Sequence, residues 1–161
     1  MFARTDRLLL RPGWMEDAPA LAAAIGEQAI VRNLATAPWP YERADACAWL
    51  AQPAGDLACC LIFARTAGRP LLVGGIGLHS TGGEVELGYW ISRAHWNRGY
   101  ATEAGHALLA FARDSLRLCR IAAGHFTDNP ASGRVLEKLG FTATRDRAPR
   151  HSAARRSEAP F

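Results

Sequence analysis

A short segment near the middle of the chain constrains the fold most, because a strand-like run, a glycine-bearing loop and a helical run follow one another there. The strand-like run is Glu86–Ile91, the loop is Trp96–Gly99, and helical spacing extends from Ala101 beyond Phe111. A glycine loop that leads into a helix leaves backbone N–H groups without partners, with the positive end of the helix dipole behind them. Such a turn is suited to binding a diphosphate. Taken alone the pattern is weakly specific, since any strand–turn–helix unit needs a glycine.

A second segment makes the pattern specific. Further along, the chain reads Asp128-Asn129-Pro130-Ala131-Ser132-Gly133-Arg134, and this unit ends with Gly140-Phe141. Together these segments resemble the acetyl-CoA-binding core of the GNAT superfamily of N-acetyltransferases, and the opening Thr5–Pro12 resembles its RimJ/RimL branch. The resemblance extends from Thr5 to Phe141. In the family's phosphate loop, Gln/Arg-x-x-Gly-x-Gly/Ala, Gly99 and Ala101 fit, whereas Trp96 stands where Gln or Arg is usual.

The size and composition of the chain favour one globular domain over residues 1–161. Of the 161 residues, 49% are hydrophobic and 21% are charged, which is ordinary for a soluble protein that buries a core without disulfides. No apolar run approaches the roughly 20 residues that span a bilayer, and the N-terminus lacks the apolar core of a signal peptide. We therefore expect a cytoplasmic protein and no membrane partner.

Charge and cysteine patterns point to no further ligand. The formal net charge is +4, and much of it follows Gly140. The arginines there are Arg145, Arg147, Arg150, Arg155 and Arg156. A cofactor carrying several phosphates would explain this basic flank, so we do not expect nucleic-acid binding. The four cysteines (Cys47, Cys59, Cys60, Cys119) lack metal-ligand spacing, and we expect no metal site.

Hydrophobic periodicity and turn residues predict the order β-α-α-β-β-β-α-β-α. The predicted strands are Arg7–Arg11, Leu57–Arg65, Leu71–His79, Glu84–Ser92 and Arg120–Phe126. The predicted helices are residues 17–25, Glu42–Ala51 with an end at Pro53–Asp56, Tyr100–Leu116, and one that Asn129 caps and Gly140 ends. This is the order of the GNAT fold, an α/β (α+β) fold. The fold implies a mixed, mostly antiparallel sheet, splayed between the fourth and fifth predicted strands, with helices on both faces.

The end of the chain departs from the family pattern. The family usually closes with two more strands as a hairpin, whereas Thr142–Phe161 is rich in Arg, Ala, Pro and Ser and shows no clear alternation. We therefore expect the last strand to be short or missing. The sheet edge and one wall of the acceptor site would then be incomplete, and a second subunit could complete them, which leaves a homodimer open.

The resemblance implies acetyl-CoA as cosubstrate and assigns residues to it. It assigns the diphosphate to the backbone N–H groups of Arg98, Gly99, Tyr100, Ala101 and Thr102. The pantetheine arm would lie between the predicted strands Glu84–Ser92 and Arg120–Phe126, near Ile91. Asn129 would hydrogen-bond this arm. The residues alone favour a different role for Asn129, that of a simple helix cap.

Moving an acetyl group from a thioester to an amine requires a base for the ammonium and an acid for the departing thiolate. Glu86 is the leading candidate for the base, because it is an acid inside an apolar strand, on which many family members carry a glutamate. Glu84 on the same face stays an alternative, and so does a purely structural ion pair between Glu86 and an arginine.

Ser132 is the candidate acid. The family's usual acid is a tyrosine, but no tyrosine follows Tyr100, and the Asn-x-x-Ser pattern of the branch implies that Ser132 lies near the sulfur. The alternative is a first-turn serine that caps its helix locally.

The sequence thus predicts transfer of acetyl from acetyl-CoA to a primary amine by direct attack on the thioester. The acceptor is either the α-amine of a protein N-terminus or a small-molecule amine. The alternative is a non-catalytic acyl-CoA-binding or regulatory module that retains the cofactor cradle, suggested by the missing tyrosine and the shortened end.

Overall fold

Within the described residues, six strands form one mixed sheet at the centre of the protein. The computed structural model describes residues 1–53, 57–144 and 147–161. The strands lie side by side in chain order. Their bounds are β1 Ala3–Arg4, β2 Leu8–Arg11, β3 Cys59–Ala64, β4 Leu71–Thr81, β5 Glu84–Ile91 and β6 Ala122–Ala123. The pairs from β1 to β5 are antiparallel and β6 is parallel to β5, which confirms the predicted mixed, mostly antiparallel sheet.

Helices cover both faces of this sheet. Their bounds are α1 Ala18–Ile25, α2 Gln28–Val31, α3 Arg43–Leu50, α4 Tyr100–Asp114 and α5 Pro130–Lys138. Each predicted helix is present within two residues of its expected bounds. The helix end predicted at Pro53–Asp56 falls on residues 54–56, which lie outside the described part of the chain. The short elements β1 and α2 were not predicted, because neither is long enough to show a period.

The sheet separates two apolar cores, because successive side chains of a strand point to opposite faces. In β3, Cys60 and Ile62 pack in the core that contains α4 and α5. Leu61 and Phe63 pack in the other core, beneath α1, α2 and α3. No helix among residues 1–53, 57–144 and 147–161 is long and apolar enough to cross a membrane.

Strands β5 and β6 separate after a short parallel contact. Glu86 pairs with Ala122 and Leu87 pairs with Ala123, and β6 ends there. Since β5 continues to Ile91, its last residues have no strand partner on that side among the described residues. The predicted strand Arg120–Phe126 is therefore too long, because beyond Ala123 this segment and β5 are too far apart for backbone hydrogen bonds. The predicted splay lies at this point, between the parallel strands.

A two-stranded hairpin follows α5. Strand β7 covers Pro149–Ser152 and β8 covers Ser157–Pro160, and the two are antiparallel. Each has four residues, which agrees with the expectation of a short final strand. The inward positions of β7 are polar (Arg150 and Ser152), and this explains why the sequence shows no apolar alternation here.

The hairpin packs against the segment that follows β6. The N–H of Thr127 donates to the carbonyl of Pro160 (3.0 Å), and the rings of Phe126 and Phe161 meet edge to face with centroids 5.2 Å apart. The ring of Phe161 occupies the space that a Cβ on Gly124 would need. The hairpin of the same chain thus covers the sheet edge that was expected to be incomplete and open to a second subunit.

Two arginines of the basic flank form ion pairs within the protein. Arg155 donates to both carboxylate oxygens of Asp128 (2.8 Å each). These hydrogen bonds lower the pKa of Asp128, and the weaker effect of burial opposes them. Arg150 is paired with Glu86, and Arg145 lies outside the described residues. Part of the basic flank is therefore used in folding the hairpin onto the domain.

Arg11 fixes the segment that leads into α1. Its guanidinium donates to both oxygens of Asp17 (2.7 Å each) and lies between the rings of Trp14 and Phe63, 3.9 and 4.2 Å from their centroids. Burial raises the pKa of Asp17, but the hydrogen bonds from Arg11 and from the backbone N–H of Trp14, with the charge of Arg11, outweigh it. The result is a pKa below the usual 3.8.

The substitution Asp17→Asn should lower the free energy of unfolding by about 2 kcal/mol near neutral pH, because it removes a charged hydrogen-bond acceptor from a nearly buried site. Since the folded pKa of Asp17 lies below 3.8, this contribution is complete above about pH 4 and is lost as the pH falls through the folded pKa. Urea unfolding of both proteins across this range measures the effect.

Asp114→Asn is the matched control, since Asp114 pairs with its neighbour Arg113 on the exposed surface and should leave stability unchanged. A difference between wild type and Asp17→Asn that stays constant down to about pH 2 would contradict the assignment.

Candidate active site

The loop before α4 presents unpaired backbone N–H groups to solvent. Gly99 begins the helix with φ = 77°, a left-handed conformation that favours glycine. Among the described residues, none of the N–H groups of residues 97–102 donates to a protein acceptor; the first helical bond runs from the N–H of Glu103 to the carbonyl of Gly99. With the helix dipole behind them, these groups suit an anion. The loop thus has free N–H groups that suit an anion, and its assignment to the diphosphate stays a prediction.

The N-terminal segment holds this loop in place. Arg7 donates to the carbonyl of Arg98 (2.9 Å) and, through Nε, to the carboxylate of Glu103 (2.7 Å). Thr5 donates to the same carboxylate (2.5 Å). Burial raises the pKa of Glu103, but the bonds from Thr5 and Arg7 and the charge of Arg7 outweigh it and lower that pKa overall. Sequence reasoning assigned no role to Arg7 and Glu103, although Thr5 and Arg7 belong to the opening motif.

Trp96 ties the loop to the end of β5. Its indole N–H donates to the carbonyl of Ile91 (2.7 Å), and 43% of the residue is exposed. The side chain that replaces the family's Gln or Arg therefore has a structural contact in this protein.

Asn129 occupies the predicted N-cap position of α5, and its carbonyl accepts from the N–H of Ser132 (3.1 Å). It precedes α5, but its side chain makes no capping hydrogen bond, and no other partner of its amide is found among the described residues. Its backbone conformation (φ = −121°, ψ = 66°) is not that of a standard cap. Asn129 is among the residues that line a cavity of this protein, and its amide has hydrogen-bonding capacity left for a ligand.

Ser132 contacts a tyrosine that sequence reasoning missed. The hydroxyl oxygens of Ser132 and Tyr89 are 2.6 Å apart, and the phenol oxygen lies 2.9 Å from the carbonyl of Ser132. Burial raises the pKa of Tyr89, and the weaker effect of the hydrogen bond to Ser132 opposes it. Ser132 therefore bonds to a neighbouring strand instead of capping its own helix. The alternation Leu87-Tyr89-Ile91 was the available signal, since it puts Tyr89 on the face that α5 covers.

Glu86 lies on the opposite face of β5 and is paired with Arg150. The two Nη–Oε distances are 2.5 and 3.0 Å, and the side chain of Glu86 is 17% exposed. The structural ion pair that the sequence left open is therefore present, and the side chain of Glu86 is mostly buried. Glu84, the alternative, is 57% exposed and pairs with Arg120 at the surface.

One cavity of about 920 Å³ joins these features. The predicted residues that line it are Glu86, Ile91, Gly99, Tyr100, Ala101, Thr102, Asn129 and Ser132. Arg98 does not line the cavity, and its carbonyl is taken by Arg7. Beyond Glu86 the walls are largely aromatic and apolar. Within the described residues, no three His, Cys, Asp or Glu side chains form a group that could hold a metal ion.

Comparison with known proteins gives the same picture. The acetyltransferase (GNAT) domain family matches residues 7–142. The uncharacterized N-acetyltransferase YoaA of Bacillus subtilis is 32% identical over 145 residues, which cover 85% of this chain and 80% of YoaA. A GNAT-family acetyltransferase from Bacillus anthracis superimposes with a TM-score of 0.83 at 23% identity, covering 99% of this chain and 94% of the other.

A further solved structure with this fold is RimL, a ribosomal L7/L12 alpha-N-protein acetyltransferase in complex with coenzyme A. Its TM-score is 0.80 at 16% identity, with 99% of this chain and 94% of RimL covered. At that identity the likeness concerns the fold alone.

The family match and the identity to YoaA make the class of this protein plain. The chain belongs to the GNAT family and is an acetyl-CoA-dependent N-acetyltransferase.

Gly99→Ala should weaken binding of CoA about tenfold, because a left-handed conformation costs an L-residue about 1–2 kcal/mol and relaxation would turn the N–H groups away. Gly140→Ala is the matched control. Gly140 has φ = 88° and open space around its Cβ position, so it carries the same backbone cost at the far end of α5. Calorimetric titration with CoA should separate the two variants; equal affinities would contradict the assignment of the loop.

Proposed function

We propose that this protein transfers the acetyl group of acetyl-CoA to a primary amine by direct attack on the thioester, as the RimJ/RimL branch of the family does. One observation supports the proposal most strongly: the unpaired N–H groups before α4, the opening between β5 and β6, and the cavity lie together in one site. The N–H groups of residues 98–102 would bind the diphosphate. The pantetheine arm would lie between β5 and β6, beside Ile91 and the amide of Asn129.

Glu86 is proposed as the general base. The amine must lose a proton to attack, because primary amines are mostly charged at neutral pH. Two of the lone-pair directions of the Glu86 carboxylate face Arg150, and the others remain free to accept from an ammonium group. Glu86 takes one proton from the ammonium group and releases it to solvent. The neutral nitrogen then forms a C–N bond with the acetyl carbon, the C–S bond breaks, and Glu86 takes the second proton, which the nitrogen loses as the amide forms.

Ser132 and Tyr89 are proposed as the acid. The departing thiolate takes a proton from the Ser132 hydroxyl, and the phenol of Tyr89, at 2.6 Å from that hydroxyl, replaces it. Tyr89 then regains a proton from solvent. Tyr89, which lies in β5, would thus take the role of the family's usual acid tyrosine, which this sequence lacks after Tyr100.

Membership of the family indicates an amine acceptor but does not say which class of amine it is. RimL is named for acetylating the α-amine of ribosomal protein L7/L12, and a protein N-terminus is therefore one candidate. A small-molecule amine is the other.

Glu86→Gln should lower kcat/KM about 100-fold near pH 7, the size of effect typical for the loss of a general base. The loss should shrink at high pH, where more of the amine is already neutral. Release of free CoA measures turnover. Glu84→Gln is the matched control, two residues away on the same strand and exposed. Wild-type turnover by Glu86→Gln at neutral pH would remove Glu86 from the mechanism, and no turnover by the wild type on any amine would favour the acyl-CoA-binding module.

Ser132→Ala and Tyr89→Phe should each lower kcat, by about tenfold, while CoA affinity is kept; the loss is modest because a thiolate is a good leaving group. If the two hydroxyls act as one relay, the double variant should lose no more than Ser132→Ala alone. Single-turnover rates provide the comparison. Two losses that multiply would show that the hydroxyls act separately.

A further inference from the structure

The ion pair between Glu86 and Arg150 lies inside the cavity, on the side away from Ser132 and Tyr89. The guanidinium donates through both terminal nitrogens to Glu86, and one of its faces stacks on the ring of Phe161, 3.8 Å from the centroid. Phe161 is seated against Gly124. The position of Arg150 is therefore set by contacts with the main domain, although the residue belongs to the closing hairpin.

Arg150 retains hydrogen-bonding capacity. A guanidinium has five N–H donors, and Glu86 accepts two of them. Among residues 1–53, 57–144 and 147–161, the other donors have no protein acceptor, and 34% of the side chain is exposed. Both Glu86 and Arg150 line the cavity. A second carboxylate can therefore bind Arg150 while Glu86 stays paired.

Glu86 and Arg150 are adjacent, carry opposite charges and each keep free hydrogen-bonding positions. They therefore match a ligand that carries an ammonium group and a carboxylate side by side. An ammonium group would bind the free lone pairs of Glu86, and a carboxylate would bind the free N–H groups of Arg150. The cavity around them is lined by the aromatic residues Tyr41, Trp49, Trp90 and Phe161. Such walls favour an apolar or aromatic body attached to the charged groups.

We propose that the acceptor is a free α-amino acid with an apolar or aromatic side chain, bound through its carboxylate to Arg150. This inference rests on the proposed function and names its substrate class. A peptide N-terminus has a neutral amide where the amino acid has its carboxylate, so it leaves the free donors of Arg150 without a charged partner. In the reaction, the α-amine forms the C–N bond and the C–S bond of the thioester breaks. Glu86 takes, in turn, the two protons that the α-ammonium group loses, and Ser132 protonates the thiolate.

Three acceptors of nearly equal size test the proposal: L-phenylalanine, L-phenylalaninamide and phenethylamine. A short peptide with N-terminal phenylalanine represents protein substrates. With the wild-type protein and acetyl-CoA, kcat/KM measured by CoA release should be at least about tenfold higher for phenylalanine than for the other three, the value of one charge-assisted contact.

Substitution of Arg150 provides the second part of the experiment. Arg150→Gln should abolish the preference for phenylalanine, and Arg150→Lys should restore part of it, since lysine keeps the charge but not the planar fork of donors. Arg147→Gln is the control, because Arg147 lies in the same segment and is exposed. Binding of CoA to each variant, followed by thermal shift, shows that the fold and the cofactor site are intact.

Equal or better use of the amide, the amine or the peptide by the wild-type protein overturns the proposal, whatever the variants do. An unchanged preference in a folded Arg150→Gln protein also overturns it. Acetylation of the peptide alone assigns the site to protein N-termini and leaves the proposed function standing. Release of CoA with none of the four acceptors overturns the proposed substrate class, and it overturns the proposed function only if a broad panel of other primary amines also gives no release.

Discussion

The rest of the site depends on a stretch of backbone that the fold leaves without hydrogen-bond partners. Residues 97–102 turn into α4 through the left-handed Gly99, and their N–H groups face solvent. The first N–H groups of a helix have no partner within the helix, so the position of this loop depends on contacts with other segments. Arg7, Thr5 and Glu103 supply that support, through bonds that join the N-terminal segment to the first turn of the helix. The outcome is a turn whose unpaired N–H groups suit an anion without a charged side chain at the point of contact.

The two halves of the cavity belong to opposite faces of β5. The alternation of a strand sends Tyr89 toward α5, where it meets Ser132, and sends Glu86 and Trp90 to the other side. A thioester held in the gap between β5 and β6 would therefore have proton donors on one side and a carboxylate with an aromatic cavity on the other. The closing hairpin completes the second side by contributing Arg150 and Phe161. One strand thus separates the proposed acid from the proposed base, because successive side chains of a strand point to opposite faces.

Most elements of the fold could be predicted from the sequence. The contacts that could not be predicted all join residues far apart in the chain. Elements with a long period or strong turn residues, such as β5, α4 and α5, were predicted with nearly correct bounds because local patterns determine them. The contacts between Tyr89 and Ser132, Glu86 and Arg150, and Arg7 and Glu103 join residues 43, 64 and 96 positions apart. No local pattern carries such pairings. The sequence predicted at most a short final strand and did not place the two strands of the hairpin, because their inward residues Arg150 and Ser152 are polar and are stabilised by distant partners.

A crystal structure of the protein with CoA tests the central claim most directly, because it locates the diphosphate and the pantetheine arm at once. We expect diphosphate oxygens within hydrogen-bond distance of the N–H groups of Tyr100, Ala101 and Thr102, with the arm between β5 and β6 and the sulfur near Ser132. A structure in which CoA binds elsewhere, while the loop at Gly99 stays empty and β5 and β6 close on each other, would contradict the account.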